Sequence, residues 1–263
     1  MAILNATPDS FSDGGKFFSI DDALRRAEIL IEAGADILDI GGESTRPASA
    51  RISAGEETRR VAPVIEAIAK RFDVPISIDT SKATVAERAV EAGAEIINDV
   101  SGLRFDERMA ETAAQTNAGL ILMHLRGEFE TMHKQSPVEN ILREVSAGLH
   151  SSIEKATRGG VARKNIALDA GIGFGKTFSQ NLELIAKLNR LCEEFADFPM
   201  LVGASRKSFI GKILDDAPVD ERLPGSLGSA AIAVWNGARI VRVHDVKATV
   251  ETLRVVDKIK AEL

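Results

Sequence analysis

The chain has 263 residues, with 33 Lys or Arg against 39 Asp or Glu, one Cys, one Trp and no Tyr. That length supports one large domain or two small ones with a substantial buried core, and a net charge of -6 excludes coating of nucleic acid or anionic membrane through bulk charge. A lone cysteine, Cys192, closes no internal disulfide and builds no thiolate cluster. No apolar run reaches the roughly 18–20 residues of a bilayer span, and no basic leader precedes the first apolar run, so the expected location is cytoplasmic.

Apolar runs rich in Ile, Leu and Val alternate with stretches of helical period, the pattern of βα units around a parallel sheet. Strands are predicted over 2–5, 36–40, 75–79, 95–98, 119–124, 165–169, 199–203 and 239–243. Their starts recur about every 34 residues, close to the spacing of a (β/α)8 barrel, whose eight units take about 250 residues. The expected fold is therefore α/β, a TIM (β/α)8 barrel forming one domain over residues 1–263; a doubly wound sheet, with fewer strands, comes second. Between the strands, 55–65 reads as a helix with Val61, Val64, Ile65 and Ile68 on one face, and 81–90 as a helix capped by Ser81. A last helix over 251–261 spaces Leu253, Val256 and Ile259 for burial. Three segments repeat: Glu32-Ala-Gly-Ala-Asp-Ile-Leu, Glu91-Ala-Gly-Ala-Glu-Ile-Ile and Asn236-Gly-Ala-Arg-Ile-Val. Their glycines suit the left-handed turn from a helix end into the next strand, so the βα units share one construction.

Polar residues close the predicted strands: Asn5, Asp39, Asp79, Asn98, His124, Asp169, Lys207 just past the seventh, and Arg242 with His244. Helix capping explains any one of them, but a whole ring of polar endings is expected where a barrel carries its active site, at the C-terminal ends of its strands. Asp79, Asn98 and Asp169 offer the acceptors and amide that match the donor-rich edge of an amino-pyrimidinone ring. Arg46, Arg206, Lys207, Arg242 and His244 supply cations for a phosphate or diphosphate. The segment Ala170-Gly-Ile-Gly-Phe-Gly-Lys-Thr departs from a P-loop at Ala170 and reads as a turn that lets backbone approach a ligand, with Phe174 as an aromatic wall. The four histidines have no zinc-binding spacing, His133 and His150 reading as surface residues. Asn5 with Asp9 or Asp13 suits a loosely held Mg2+ completed by substrate phosphates, and Cys192 reads as a core thiol.

Seven segments, in order, resemble the pterin-binding enzyme family. They are Ile3-Leu-Asn-Ala-Thr-Pro-Asp-Ser-Phe-Ser-Asp-Gly-Gly, Asp39-Ile-Gly-Gly-Glu-Ser-Thr-Arg-Pro, Ile76-Ser-Ile-Asp-Thr, Ile97-Asn-Asp-Val-Ser-Gly, Asp169-Ala-Gly-Ile-Gly-Phe-Gly-Lys, Gly203-Ala-Ser-Arg-Lys-Ser-Phe and Arg242-Val-His-Asp-Val. The resemblance implies a folate-pathway transferase that joins a dihydropterin-6-ylmethyl diphosphate to 4-aminobenzoate and releases diphosphate. It implies that Asp79, Asn98, Met123, Asp169 and Lys207 bind the pterin. Thr45, Arg46, Arg242 and His244 would hold the diphosphate, and Phe11, Pro47, Phe174, Lys207 and Ser208 the aminobenzoate. Asp79, Asp169, Lys207, Arg242 and His244 form the implied catalytic set, with Mg2+ held at Asn5 and Asp13. A homodimer, small-molecule substrates and inhibition by sulfonamides are expected, with no nucleic-acid or membrane partner. Ala170 stands where the family usually has Pro, Ala48 where Gly is common, and the chain starts almost on its first strand. Two other readings share the pterin residues: a methyltetrahydrofolate–corrinoid methyltransferase and a non-catalytic pterin-binding homologue.

Overall fold

A computed structural model describes residues 1–7, 19–44, 51–128, 131–132 and 135–262. The strands are β1 (Ala2–Asn5), β2 (Leu38–Gly41), β3 (Ile76–Asp79), β4 (Ile96–Asp99), β5 (Gly119–Met123), β6 (Ile166–Asp169), β7 (Met200–Val202) and β8 (Ile240–Val241). Each lies within two residues of its predicted bounds. The helices are α1 (Ile20–Glu32), α2 (Ala54–Arg71), α3 (Ala83–Glu91), α4 (Met109–Thr116), α5 (Ile141–Arg158), α6 (Phe178–Ala186), α7 (Leu188–Glu194), α8 (Ser208–Ile213), α9 (Leu223–Trp235) and α10 (Val246–Lys260). Strands β1 to β5, and strands β6 to β8, pair in parallel with their neighbours in sequence, the topology of successive βα units.

The chain divides into two compact units: Met1–Leu122 with Ser152–Ile166, and Met123–Ser151 with Ala167–Leu263. In the first, alternation along the strands sorts the side chains by face. Leu4, Ile40, Ile78, Ile97, Leu120 and Leu122 are fully buried on one face. On the other, the register sets Asn5 beside Gly41, Gly41 beside Asp79 and Asp79 beside Asn98, with Ile3, Asp39, Ser77 and Ile96 forming the row beneath. The polar endings are therefore one contiguous row, as the pairing of parallel strands requires once their lengths match.

Helix starts follow from local chemistry. The Ser19 and Ser53 hydroxyls cap α1 and α2 by accepting from Asp21 N and Glu56 N, both at 3.2 Å. Val61, Val64, Ile65 and Ile68 are buried, as their spacing predicts. The expected Ser81 cap of α3 is replaced. Lys82 occupies the cap position without a side-chain bond, and the Asp106 carboxylate, 23 residues away, accepts from Ala83 N at 2.9 Å. The repeated glycines Gly34, Gly93 and Gly237 have φ of 96°, 116° and 107°, the left-handed turn expected of them. At the other end of the chain, Ile259 is exposed rather than buried, and Leu253 and Val256 are half-buried. Among the described residues, no helix is long and apolar enough to cross a membrane.

Candidate active site

The first unit carries one polar group. Asn5 and Asp79 end β1 and β3 on either side of Gly41, where a Cβ would lie 3.8 Å from Asp79 Oδ2 and 3.9 Å from Asn5 Oδ1. Both oxygens thus face the gap that the glycine leaves. Asn98, 3 % exposed, donates from Nδ2 to Asp39 Oδ2 at 3.2 Å and to Oδ1 at 3.5 Å. Asp39 is fully buried in the row beneath. A carboxylate accepts only, so this bond fixes which end of the Asn98 amide is turned away from Asp39. Asp39 was legible as a polar strand residue, but its work as the holder of Asn98 follows from sheet register. Beside this group, Glu43 accepts from Ile52 N at 2.7 Å, and Lys82 bridges Glu43, at 3.0 Å, to the buried Glu57.

The second unit carries the other polar group. Asp169 ends β6 and is 6 % exposed; its Oδ1 accepts from Gly171 N at 2.7 Å. Burial pushes the Asp169 carboxyl above the ordinary range, against the pull of the Lys207, Lys176 and Arg242 charges and the Gly171 amide. The turn that follows alternates glycines in the left-handed region, Gly171, Gly173 and Gly175 at φ of 69°, 86° and 71°, with Ile172 and Phe174. Protein side chains hold several of its backbone groups. Gly173 N donates to Asn181 Oδ1 at 2.6 Å, Arg126 donates to Gly175 O at 3.0 Å, and Lys207 Nζ donates to Ile172 O. Lys207 also lies 4.3 Å from the Phe174 ring centroid, a cation–π contact that seats the aromatic wall.

Register in this unit places Asp169 beside Leu201 and Leu201 beside Ile240, so Arg242, two residues on, shares the Asp169 face. His244 Nδ1 lies 3.1 Å from Ser205 Oγ. Arg206 corrects the predicted cation set. Its guanidinium is bound bidentately by Asp245, Nε to Oδ2 at 2.9 Å and Nη2 to Oδ1 at 2.6 Å, so it braces the loop after β7 instead of waiting for an anion. Along β5, Met123 shares the face of Ile121, the neighbour of Asn98 in register, whereas His124 falls on the opposite parity. His124 packs on α5, where a Cβ at Gly148 would meet its Cδ2 at 2.4 Å. Ser208 begins α8 and is exposed. Phe11, Asp13, Thr45, Arg46 and Pro47, together with Asp9, Ala48 and His133, lie outside the described residues. His150 is on the surface, as expected, 2.9 Å from Glu194. Cys192 is half-buried, and burial pushes its thiol up.

A family described as pterin binding enzyme matches residues 1–244. The chain belongs to that family of pterin-binding (β/α)8 enzymes. It is 48% identical over 259 residues to the dihydropteroate synthase of Escherichia coli K12, covering 98% of this chain and 90% of that one. Among solved structures, a Clostridium difficile dihydropteroate synthase in the presence of pteroic acid superposes with a TM-score of 0.92 at 42% identity, covering 98% of this chain and 95% of that one. A Xanthomonas albilineans dihydropteroate synthase with 4-aminobenzoic acid gives 0.92 at 40% identity, covering 99% and 92%. Within the family the chain falls among the dihydropteroate synthases, transferase enzymes of folate synthesis.

Proposed function

We propose that the chain condenses a (7,8-dihydropterin-6-yl)methyl diphosphate with 4-aminobenzoate to give 7,8-dihydropteroate and diphosphate. The observation that carries this is the row Asn5–Gly41–Asp79–Asn98, with the Asn98 amide held by Asp39 from beneath. Carboxylate and amide groups fixed in this way match the N–H donors and the carbonyl of a pterin edge, and reject rings that leave them unpaired. Asp79 and Asn98 in the first group, and Asp169, Lys207 and Met123 in the second, bind the pterin in this reading. Arg242 and His244, with Thr45 and Arg46, take the diphosphate; Phe174, Lys207 and Ser208, with Phe11 and Pro47, take the aminobenzoate.

In the reaction the methylene–oxygen bond breaks and its electron pair leaves with diphosphate, whose charge Arg242 and His244 would spread. The cation left on the methylene is delocalised into the pterin and favoured by the Asp169 carboxylate. The aniline nitrogen attacks that carbon and its surplus proton goes to solvent, so no strong base is needed. The donor set near Asn5 fits Mg2+. Asn5 Oδ1, a neutral oxygen donor at the end of β1, faces the gap that Gly41 leaves. A hard cation with few protein oxygens keeps room for phosphate oxygens, and when bound it would stabilise the departing diphosphate. Asn5 and Asp13 are its proposed ligands.

A single domain over 1–263, a cytoplasmic location and a homodimer complete the reading. The dimer is supported by exposed apolar side chains on neighbouring helices, Ile232 and Trp235 of α9 with Val255 and Ile259 of α10. Calorimetric titration with a dihydropterin tests the assignment of the row. Asp79→Ala is expected to abolish the binding heat that the unaltered chain gives, and unchanged affinity would defeat it.

A further inference from the structure

Lys176 closes the glycine-rich turn and plays no part in the reaction just described. Its Nζ donates to the carbonyl of His124 at 2.7 Å, and the His124 N–H donates to Asp169 O at 2.9 Å. A Cβ on Gly171 would lie 1.9 Å from that carbonyl oxygen and 2.7 Å from Lys176 Nζ. The lysine amine, the end of β5 and the first glycine of the turn therefore meet at one point, directly behind the residue pair Asp169–Gly171. The lysine's own backbone carbonyl is fixed as well, accepting from Asn181 Nδ2 at 3.3 Å.

We propose that Lys176 is a positioning residue for Asp169: its ammonium pins the turn to the end of β5 and supplies a fixed positive charge beside a carboxylate that must stay ionised. The assignment rests on the pterin-binding reading of Asp169. Asp169 is enclosed by protein, and without compensating charge a carboxyl so placed takes up a proton and turns from an acceptor into a donor. Lys207 exerts the largest compensating pull on it, but Lys207 is also the group proposed to touch both substrates. Lys176 touches neither substrate in that reading, and its bond to the His124 carbonyl holds its charge in place. The groups facing Lys176 are Asp169 at the end of β6, Lys207 after β7, Arg126 after β5 and Glu144 on α5, while Arg242 at β8 faces Asp169. Burial and the neighbouring Lys207 and Arg126 charges push the Lys176 amine well down from the ordinary lysine range, with Asp169 and Glu144 opposing. The support that Lys176 gives Asp169 is accordingly present while the amine is protonated and is lost as the pH rises through that lowered value.

The test is calorimetric titration of the full-length protein with 7,8-dihydropterin across a range of pH, for the unaltered chain, two uncharged variants, Lys176→Met and Lys176→Gln, and Lys176→Arg. Either uncharged variant that folds is expected to bind about tenfold more weakly or worse, the scale of a lost hydrogen bond from a charged donor. Its acid limb of binding is expected at higher pH, because Asp169 has lost a positive neighbour. Lys176→Arg is expected to keep the acid limb of the unaltered chain. An uncharged variant that melts earlier yet keeps both affinity and acid limb would overturn the proposal, since a purely structural lysine behaves that way. If the unaltered chain fails to bind dihydropterin, the pterin reading itself falls, and a normal titration by that chain separates the two failures.

Discussion

Gly171→Ala places one methyl group at the tightest point of the second polar group. The new Cβ would lie 1.9 Å from the His124 carbonyl oxygen and 3.0 Å from its carbon, at a φ of +69°. A side chain in the left-handed region costs about 1–2 kcal/mol. The carbonyl cannot swing aside freely, because its residue's N–H is bonded to Asp169 O at 2.9 Å and Lys176 Nζ is bonded to the carbonyl itself at 2.7 Å. Forcing backbone apart in a packed site adds about 1–3 kcal/mol. The sum, about 2–5 kcal/mol, lies within the usual stability of a folded chain, so the variant should fold with Tm lowered by roughly 4–20 °C. It should also lose dihydropterin affinity, since the Gly171 N–H can no longer hold Asp169 Oδ1. Scanning calorimetry and titration calorimetry read both effects. Gly228→Ala, in α9, is the control: its Cβ would meet nothing within 4 Å, and it should leave both readings the same or raise Tm. Wild-type Tm and affinity in Gly171→Ala would refute the description of the turn as clamped.

Asp39→Ala removes the acceptor that orients Asn98, and dihydropterin affinity should fall by about 10- to 100-fold, the scale of one charge-assisted hydrogen bond, with the fold retained by circular dichroism. Asp169→Asn should separate stability from function. The folded chain holds the Asp169 carboxyl above its ordinary value, so its ionisation weakens the folded state as pH rises from the unfolded value through the folded one. A neutral amide avoids that cost, and Tm at neutral pH should rise while dihydropterin binding is lost; a lower Tm would contradict the sign. Lys82→Met strands Glu57, which is 1% exposed, and should cost about 3–5 kcal/mol in chemical denaturation, with partial recovery in the double variant with Glu57→Gln.

The strands and their order were legible because apolar periodicity and the repeated Glu/Asn-(Ala)-Gly-Ala turns are local signals. Gly34, Gly93 and Gly237 take the left-handed turn that any sequence reader would assign them. The row Asn5, Asp79, Asn98 was legible for a related reason: each residue ends a strand, and matched strands bring their ends level. What escaped depends on partners distant in sequence. Arg206 reads in sequence as a cation for a phosphate, but its bidentate partner, Asp245, lies 39 residues on. Ser81 has the chemistry of a cap, yet Asp106 reaches Ala83 first. His124 looked like one more polar ending, but parity along β5 turns it away from the face of Met123 and onto the gap at Gly148. Lys176 read as the tail of a phosphate-loop lookalike, and only the position of the His124 carbonyl gives its amine a partner.

The most direct measurement is chromatographic detection of 7,8-dihydropteroate from the purified chain, given (7,8-dihydropterin-6-yl)methyl diphosphate, 4-aminobenzoate and Mg2+. Dihydropteroate and diphosphate should form together in equal amounts, stop when 4-aminobenzoate or Mg2+ is withheld, and fall when a sulfonamide competes with the arylamine. A chain that binds dihydropterin tightly but forms no dihydropteroate under these conditions would contradict the assigned transfer and favour a binding homologue or a methyltransferase built on the same pterin residues.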